Sequence, residues 1–355
     1  MQGIENQTPP LPPELDATSM QLRHQVAGLG PHGERPATPD VITLPPGALE
    51  RAKASNFCVS IVLHTTTSDW SMRQIAGIEA ELAHAGAVVV DVVDCAYDDV
   101  AQVAAIERII HKRPDAVISI PVAGAAVAKE YRKISAAGIK LILLDNAPSG
   151  LLPEVDYVTV ISSDNFGLGE IAARLLSPYV PTRGKVCVLA YKLDFFATAQ
   201  REIAFSRWMR RERPDVTLSQ LKFERPSEAG VLIGPHLDQH PDIDGLFVVW
   251  DEPAVETLLV LAGRQQCPVM TTVDLGAKAA AALANGRIVK GVAAQRPFEQ
   301  GRAAAAAAMA SLAGIATPPW IVLPGLAVTT DNVASVFEMV GGGPTGLALS
   351  AISCM

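Results

Sequence analysis

Ten side chains that could contact a small molecule each stand just after an apolar run. His64, Ser68 and Trp70 follow FCVSIVL (57–63). Asp145 and Asn146 follow LILL, Phe195 and Arg201 come after VCVLAY, Trp250 follows LFVV, Asp274 follows MTTV, and Gln295 follows GVAA. Together they offer the chemistry that a neutral polyol needs. Carboxylates and amides make paired bonds to adjacent hydroxyls, and a guanidinium donates a planar fork. An aromatic face covers the C–H side of a ring. Each residue also has an ordinary reading. Trp70 could pack on a sheet, Asp145 and Asp274 could cap loops, Arg201 could lie on the surface, and Asp251 reads as a helix N-cap.

Other chemistries fit less well. GLGEIA (167–172) has the loose spacing of a dinucleotide loop. However, Ser163 or Asp164 is the better helix cap, which puts both glycines inside a helix, and no acidic residue follows at the required distance. GGGPTG lacks the Lys-Ser/Thr of a phosphate loop, and there is no G-x-S-x-G elbow. His236 and His240 have chelating spacing, but they flank a polar HLDQHPD stretch with no third ligand nearby. The five cysteines are scattered and odd in number, without a CxxC pair, and Cys58 and Cys187 sit inside apolar runs as free thiols. No catalytic residue, metal ligand or cofactor is therefore expected.

Strands and helices must position the ten. Strand-like runs are expected at 57–63, 87–92, 115–120 and 140–144, with amphipathic helices over 70–85, 99–112 and 124–137 between them. Gly86 and Gly138 stand where helix C-terminal glycines belong. After APSGLLPEVD the alternation restarts. Strands are expected at 157–161, 185–190, 216–220, 245–249, 268–273 and 288–293. Helices are expected over 164–177, 197–212, 227–240, 253–264, 276–285 and 298–313, with a last apolar run at 320–328. This is an α/β chain with two doubly wound parallel-sheet lobes. Ligands of such folds bind at the carboxyl ends of the strands, where the ten residues lie.

At 355 residues, 49% hydrophobic and 19% charged, the chain has room for two lobes. A net charge of −8 with no basic patch argues against nucleic acid. No apolar run is long enough to insert in a membrane, and MQGIENQTPPLPPELD has no basic-then-apolar signal pattern, so a cytoplasmic location stays open. Residues 1–55 are rich in Pro and read as a linker or disordered tail. Residues 331–355, with their Gly run, read as a loosely held tail.

An ordered series of motifs resembles the type I periplasmic sugar-binding proteins, the group of ribose-binding protein. The series is the opening strand with SDW, DAVISIPV (115–122), AGIKLILLDN (137–146), ISSDNFGLGEIAARLL (161–176), REIAF (201–205), HPDIDGLFVVWDEPAVETL (240–258), TTVD (271–274) and GVAAQRPFEQG (291–301). The resemblance covers about 56–328. It implies a type I periplasmic-binding-protein fold whose lobes are joined by a three-segment hinge, with crossings near Ser163–Asp164, near Gln295 and within 322–328. One lobe would take 56–162 plus 296–322, the other 163–295 plus 323–330. It places the binding positions on His64, Ser68, Trp70, Asp145, Asn146, Arg201, Trp250, Asp274 and Gln295. Trp250 stands where ribose-binding relatives have Asn, and Asn146 where they have Arg. The site is thus more aromatic and less polar than a ribose site, and another sugar, a polyol or a less polar cyclic ligand fits as well.

The resemblance implies a monomeric solute receptor working outside the cytoplasmic membrane with an ABC permease. The alternative is a ligand-sensing domain of a regulatory or chemosensory system, for which the Pro-rich start offers no DNA-reading helices. An enzyme is not expected. Replacing Arg201 or Asp274 by Ala is expected to weaken binding at little cost in stability.

Overall fold

The computed structural model describes residues 26–122 and 124–341. Helix α1 (Pro46–Ser55) comes first. The chain then alternates through β1 (Cys58–Leu63), α2 (Asp69–His84), β2 (Val88–Asp94), α3 (Asp99–Lys112), β3 (Ala116–Ser119), α4 (Ala125–Ala136), β4 (Lys140–Leu144) and β5 (Thr159–Ser163). It continues through α5 (Asn165–Leu176), β6 (Lys185–Tyr191), α6 (Phe196–Glu212), β7 (Thr217–Phe223), α7 (Glu228–Gln239), β8 (Gly245–Val248) and α8 (Asp251–Leu261). The last elements are β9 (Val269–Val273), α9 (Ala277–Asn285), β10 (Val289–Ala294), α10 (Pro297–Leu312), β11 (Trp320–Leu323), β12 (Leu326–Val328) and α11 (Val333–Val340).

Two six-stranded sheets result, ordered β11-β5-β4-β3-β1-β2 and β12-β10-β9-β8-β6-β7. All pairings are parallel except β10 with β12. The chain passes between the sheets three times: after Ser163, after Ala294, and between Leu323 and Leu326. The apolar run at 320–328 is thus two strands. Pro324 and Gly325 part them, and each strand belongs to a different sheet.

The inner strands are continuous apolar runs because helices cover both faces; every residue of β3, β5 and β8 is buried. Helix starts follow the local chemistry. Ser68 accepts from the Ser71 amide at the head of α2, and Asp98 from the Ala101 amide at the head of α3. Asp164 accepts from the Gly167 amide, so both glycines of GLGEIA lie within α5.

Two segments depart from expectation. Over 26–55 the chain is packed rather than a linker. The Ala27 and Gly28 amides donate to the Asp164 carboxylate at 2.8 and 3.1 Å. Ala37 bridges Ile321 on the open edge of β11, covering it. Pro46 opens α1, a place that tolerates Pro because the missing N–H would be unpaired anyway, and Ala48 and Ala52 are buried. At the other end, Val333, Val336, Phe337 and Val340 bury the apolar stripe of α11 where a loose tail is expected. The parts of those expectations on 1–25 and 342–355 lie outside the described residues.

Helices α2 and α10 approach closely through two glycines. A Cβ on Gly77 would collide with the Phe298 carbonyl oxygen, and one on Gly301 with the Gln74 carbonyl oxygen. In an exposed helix interior, Gly→Ala gains roughly 1 kcal/mol in propensity. Here the obstacle is backbone, which cannot swing aside, and overpacking costs about 1–3 kcal/mol. Gly301→Ala is therefore expected to lower the denaturant midpoint at unchanged slope; a raised midpoint would contradict the close approach.

Candidate ligand-binding cleft

The carboxyl ends of the two sheets face one another across a cleft. The cavity there is lined by His64, Ser68, Trp70, Tyr97 and Asp145 from the first lobe and, among others, Tyr191, Phe195, Thr198, Arg201, Trp250, Asp251, Glu252 and Asp274 from the second, with Gln295 at a crossing. Its volume is about 60 Å³, so the lobes are drawn together on a small space.

The backbone turns sharply where it delivers these side chains. Asp145 and Asp274 have φ of 53° and 72°, and Ala96 and Tyr97 have 48° and 60°. Left-handed conformations are uncommon without glycine and gather at functional sites. Arg201, in the second turn of α6, reaches the centre of the cleft. Its Nε donates to Asn165 Oδ1 at 2.8 Å and its Nη1 to the Val249 carbonyl at 3.0 Å, and Nη1 lies 3.7 Å from Asp274 Oδ2. Gln295 Nε2 donates to Asp274 Oδ1 at 2.5 Å. Asp145 receives Gln300 Nε2 at 3.3 Å on each oxygen, and Gln300 Oε1 accepts from Gln74 Nε2 at 3.2 Å. The packed α2–α10 pair thus holds Asp145 in place.

Burial dominates the electrostatics. It pushes the Asp145 carboxyl up to about 6, opposed by Arg201, and raises Asp251, Glu252 and Asp274 above the usual carboxylate range. His64 is partly exposed overall, but its ring sits 5.8 Å from that of Trp70, 5.1 Å from Tyr97 and 6.1 Å from Phe195. Burial lowers its pKa to about 4, with Asp94 pulling the other way, so the imidazole is neutral near pH 7.

The signs of these two shifts oppose. A depressed histidine contributes stability in full above its unfolded value of about 6.5 and loses it as pH falls through about 4. The raised Asp145 acts in reverse: its contribution is full below about 3.8 and is lost as pH rises through about 6. The histidine part is isolated by difference. Relative to wild type, His64→Asn is expected to gain stability between pH 6.5 and 4, by at most about 3 kcal/mol. A flat difference curve from urea melts would contradict an enclosed ring.

Nine of the ten residues singled out in the sequence surround the cavity. Asn146 does not. Its Nδ2 donates to the Pro121 carbonyl at 3.1 Å, and its Oδ1 accepts from the Phe196 amide at 3.2 Å, so it caps helix α6 of the opposite lobe instead of lining the cavity. Ser68 lines the cavity but also caps its own helix. Asp251 is the first residue of α8 and accepts from the Gly276 amide at 2.8 Å, at the head of α9, instead of capping its own helix. Tyr97, Tyr191, Thr198, Asp251 and Glu252 are cleft residues that the reading of the ten omits. Tyr97, Asp251 and Glu252 follow strands β2 and β8, so the rule that found the others also points to them.

Several bonds cross directly between the lobes. The Ala277 amide donates to Asp69 Oδ2 at 2.6 Å, Arg73 Nη1 to the Leu275 carbonyl at 3.1 Å, and Tyr97 Oη to Glu252 Oε2 at 3.0 Å. With Asn146 on α6, two helix N-termini of the second lobe are capped by side chains of the first. The conformation is a closed one.

Two α/β lobes, crossed three times by the chain and closing on an aromatic and carboxylate-rich cleft, define a solute-binding fold. The family model described as "Periplasmic binding protein domain" matches residues 59–316, and the chain belongs to that family. A solute-binding protein of an ABC transporter from Agrobacterium vitis, bound with alpha-D-tagatopyranose, is 24% identical, with a TM-score of 0.73 over 80% of this chain and 98% of its own. A carbohydrate transporter solute-binding protein from Agrobacterium radiobacter, in complex with D-arabinose, is 17% identical, with a TM-score of 0.74 over 81% and 99%. A second Agrobacterium vitis protein of the same kind, with bound allitol, is 21% identical, with a TM-score of 0.71 over 79% and 98%. A comparison with curated protein sequences finds no match. Among the described residues, no helix is long and apolar enough to cross a membrane.

Proposed function

We propose that this protein is the solute receptor of an ABC importer, capturing a small sugar- or polyol-like ligand between its lobes. The observation that supports this best is the pair of strand-end carboxylates, Asp145 and Asp274, one from each lobe, gathered about Arg201 under aromatic walls. Carboxylate and guanidinium pair with ligand hydroxyls, and the rings cover its apolar face. A ligand touching both lobes stabilises the closed form, so closure reports occupancy. The closed receptor then presents its two lobes to a permease outside the cytoplasmic membrane.

A thermal-shift screen over sugars and polyols tests this reading. A ligand that binds only the folded protein, at about 100 times its dissociation constant, adds about 2.7 kcal/mol and a visible rise in Tm. The rise is expected to shrink in Asp274→Asn. No rise with any sugar or polyol would overturn the reading.

A further inference from the structure

The cleft is acidic. Asp145, Asp251, Glu252 and Asp274 face it, with Arg201 the one cationic side chain among the described residues of its lining. The flanking pair, Asp69 beside Arg73, leaves that imbalance unchanged. His64 is neutral near pH 7 and offsets nothing. Arg201 is itself committed to Asn165 and the Val249 carbonyl as well as to Asp274. Bringing several carboxylates together out of water is costly unless protons or a cation join them.

The unmet hydrogen-bonding capacity points the same way. Gln295 is 2% exposed and lines the cavity, and among the described residues its Oε1 has no donor. Asp251 uses only Oδ2, on the Gly276 amide. An ammonium group supplies three donors and no acceptor. The rings of Trp70, Tyr97, Tyr191 and Trp250 around the same space can stabilise a cation through their faces. In the other direction, Trp70 Nε1 is a buried donor with no acceptor among the described residues, which a ligand hydroxyl would meet.

We propose that the preferred ligand is an amine-bearing sugar or polyol, with its ammonium among Asp251, Glu252 and Asp274 and its hydroxyls toward Arg201 and Trp70. This rests on the solute-receptor reading and names the ligand class within it.

Matched pairs that differ by one hydroxyl-to-ammonium change test it: D-glucosamine with D-glucose, D-galactosamine with D-galactose, and D-glucamine with D-glucitol. Calorimetry near pH 7 is expected to show the amine of at least one pair binding about tenfold or more tighter than its neutral partner. That preference should shrink severalfold in Asp251→Asn and in Asp274→Asn, each checked for folding by circular dichroism, and it should weaken with added salt. Neutral partners binding as tightly as the amines, or a preference untouched by both carboxamide variants, would overturn the inference and leave the solute-receptor reading standing. No binding by any member of the pairs would overturn the inference; only silence across the wider sugar and polyol screen as well would bring down the receptor reading.

Discussion

Arg201→Ala is expected to destabilise the protein by about 3–5 kcal/mol and to abolish detectable ligand binding. Arg201 is 4% exposed, and its guanidinium lies 3.7 Å from Asp274. Its charge also opposes the raised pKa of both Asp145 and Asp274. Removing one partner of a buried ion pair leaves uncompensated charge, and that accounts for the size of the loss. The Asn165 amide oxygen and the Val249 carbonyl lose their donor as well. This differs from the sequence-based expectation of little loss, which treats Arg201 as a ligand contact rather than as the centre of a buried network. The measurement is a double-mutant cycle with Asp274→Asn in urea melts. The two changes are expected to couple by more than about 1 kcal/mol, because Arg201→Ala costs less once Asp274 is neutral. Additivity within about 0.5 kcal/mol would show that the pair is not coupled.

Trp250→Ala is expected to cost about 3–5 kcal/mol of stability through lost packing, while Trp250→Phe keeps most of it. Trp250 is 9% exposed and stands between two rings, Tyr191 at 5.1 Å in a near-perpendicular arrangement and Phe223 at 5.1 Å. It is therefore part of the second lobe's core as well as the cleft wall. The two roles separate by measurement. Melting temperature follows the packing, whereas affinity and the change in tryptophan emission on ligand addition follow the contact. If Trp250→Phe binds as tightly as wild type and the wild-type emission does not respond to ligand, the ring has only its packing role.

Much of this architecture is legible in the chain because the physics behind it is local. Runs such as KLILL and TVISS must be buried on both faces, and the polar residues after them must fall at a sheet's carboxyl edge. Strand β4 and helix α3 lie where the periodicity puts them, and the other elements expected between 57 and 313 begin and end within two or three residues of expectation. What was not legible depends on partners distant in sequence. Pro46 reads as a helix breaker until Ala48 and Ala52 have a surface to cover. Asn146 reads as a ligand contact until helix α6 of the other lobe arrives and takes its oxygen. Asp251 reads as the cap of its own helix, yet it serves the Gly276 amide at the next one. The run at 320–328 reads only as apolar, and the existence of two sheets explains why Pro324 and Gly325 divide it into two strands. In each case local propensity is a sound guide to the element and a poor one to the partner.

The lobes meet through Asp69 on α9, Asn146 on α6 and Tyr97 on Glu252, and a ligand adds contacts to both sides of the same cleft. The most direct test of the account is small-angle X-ray scattering of the full chain, with and without a saturating ligand found in the thermal-shift screen. The radius of gyration is expected to fall on ligand addition to the value of this closed structure, and Tyr97→Phe with Asp69→Ala should make the free protein more open. A radius that stays constant while calorimetry shows the ligand bound would contradict closure of the two lobes on their solute.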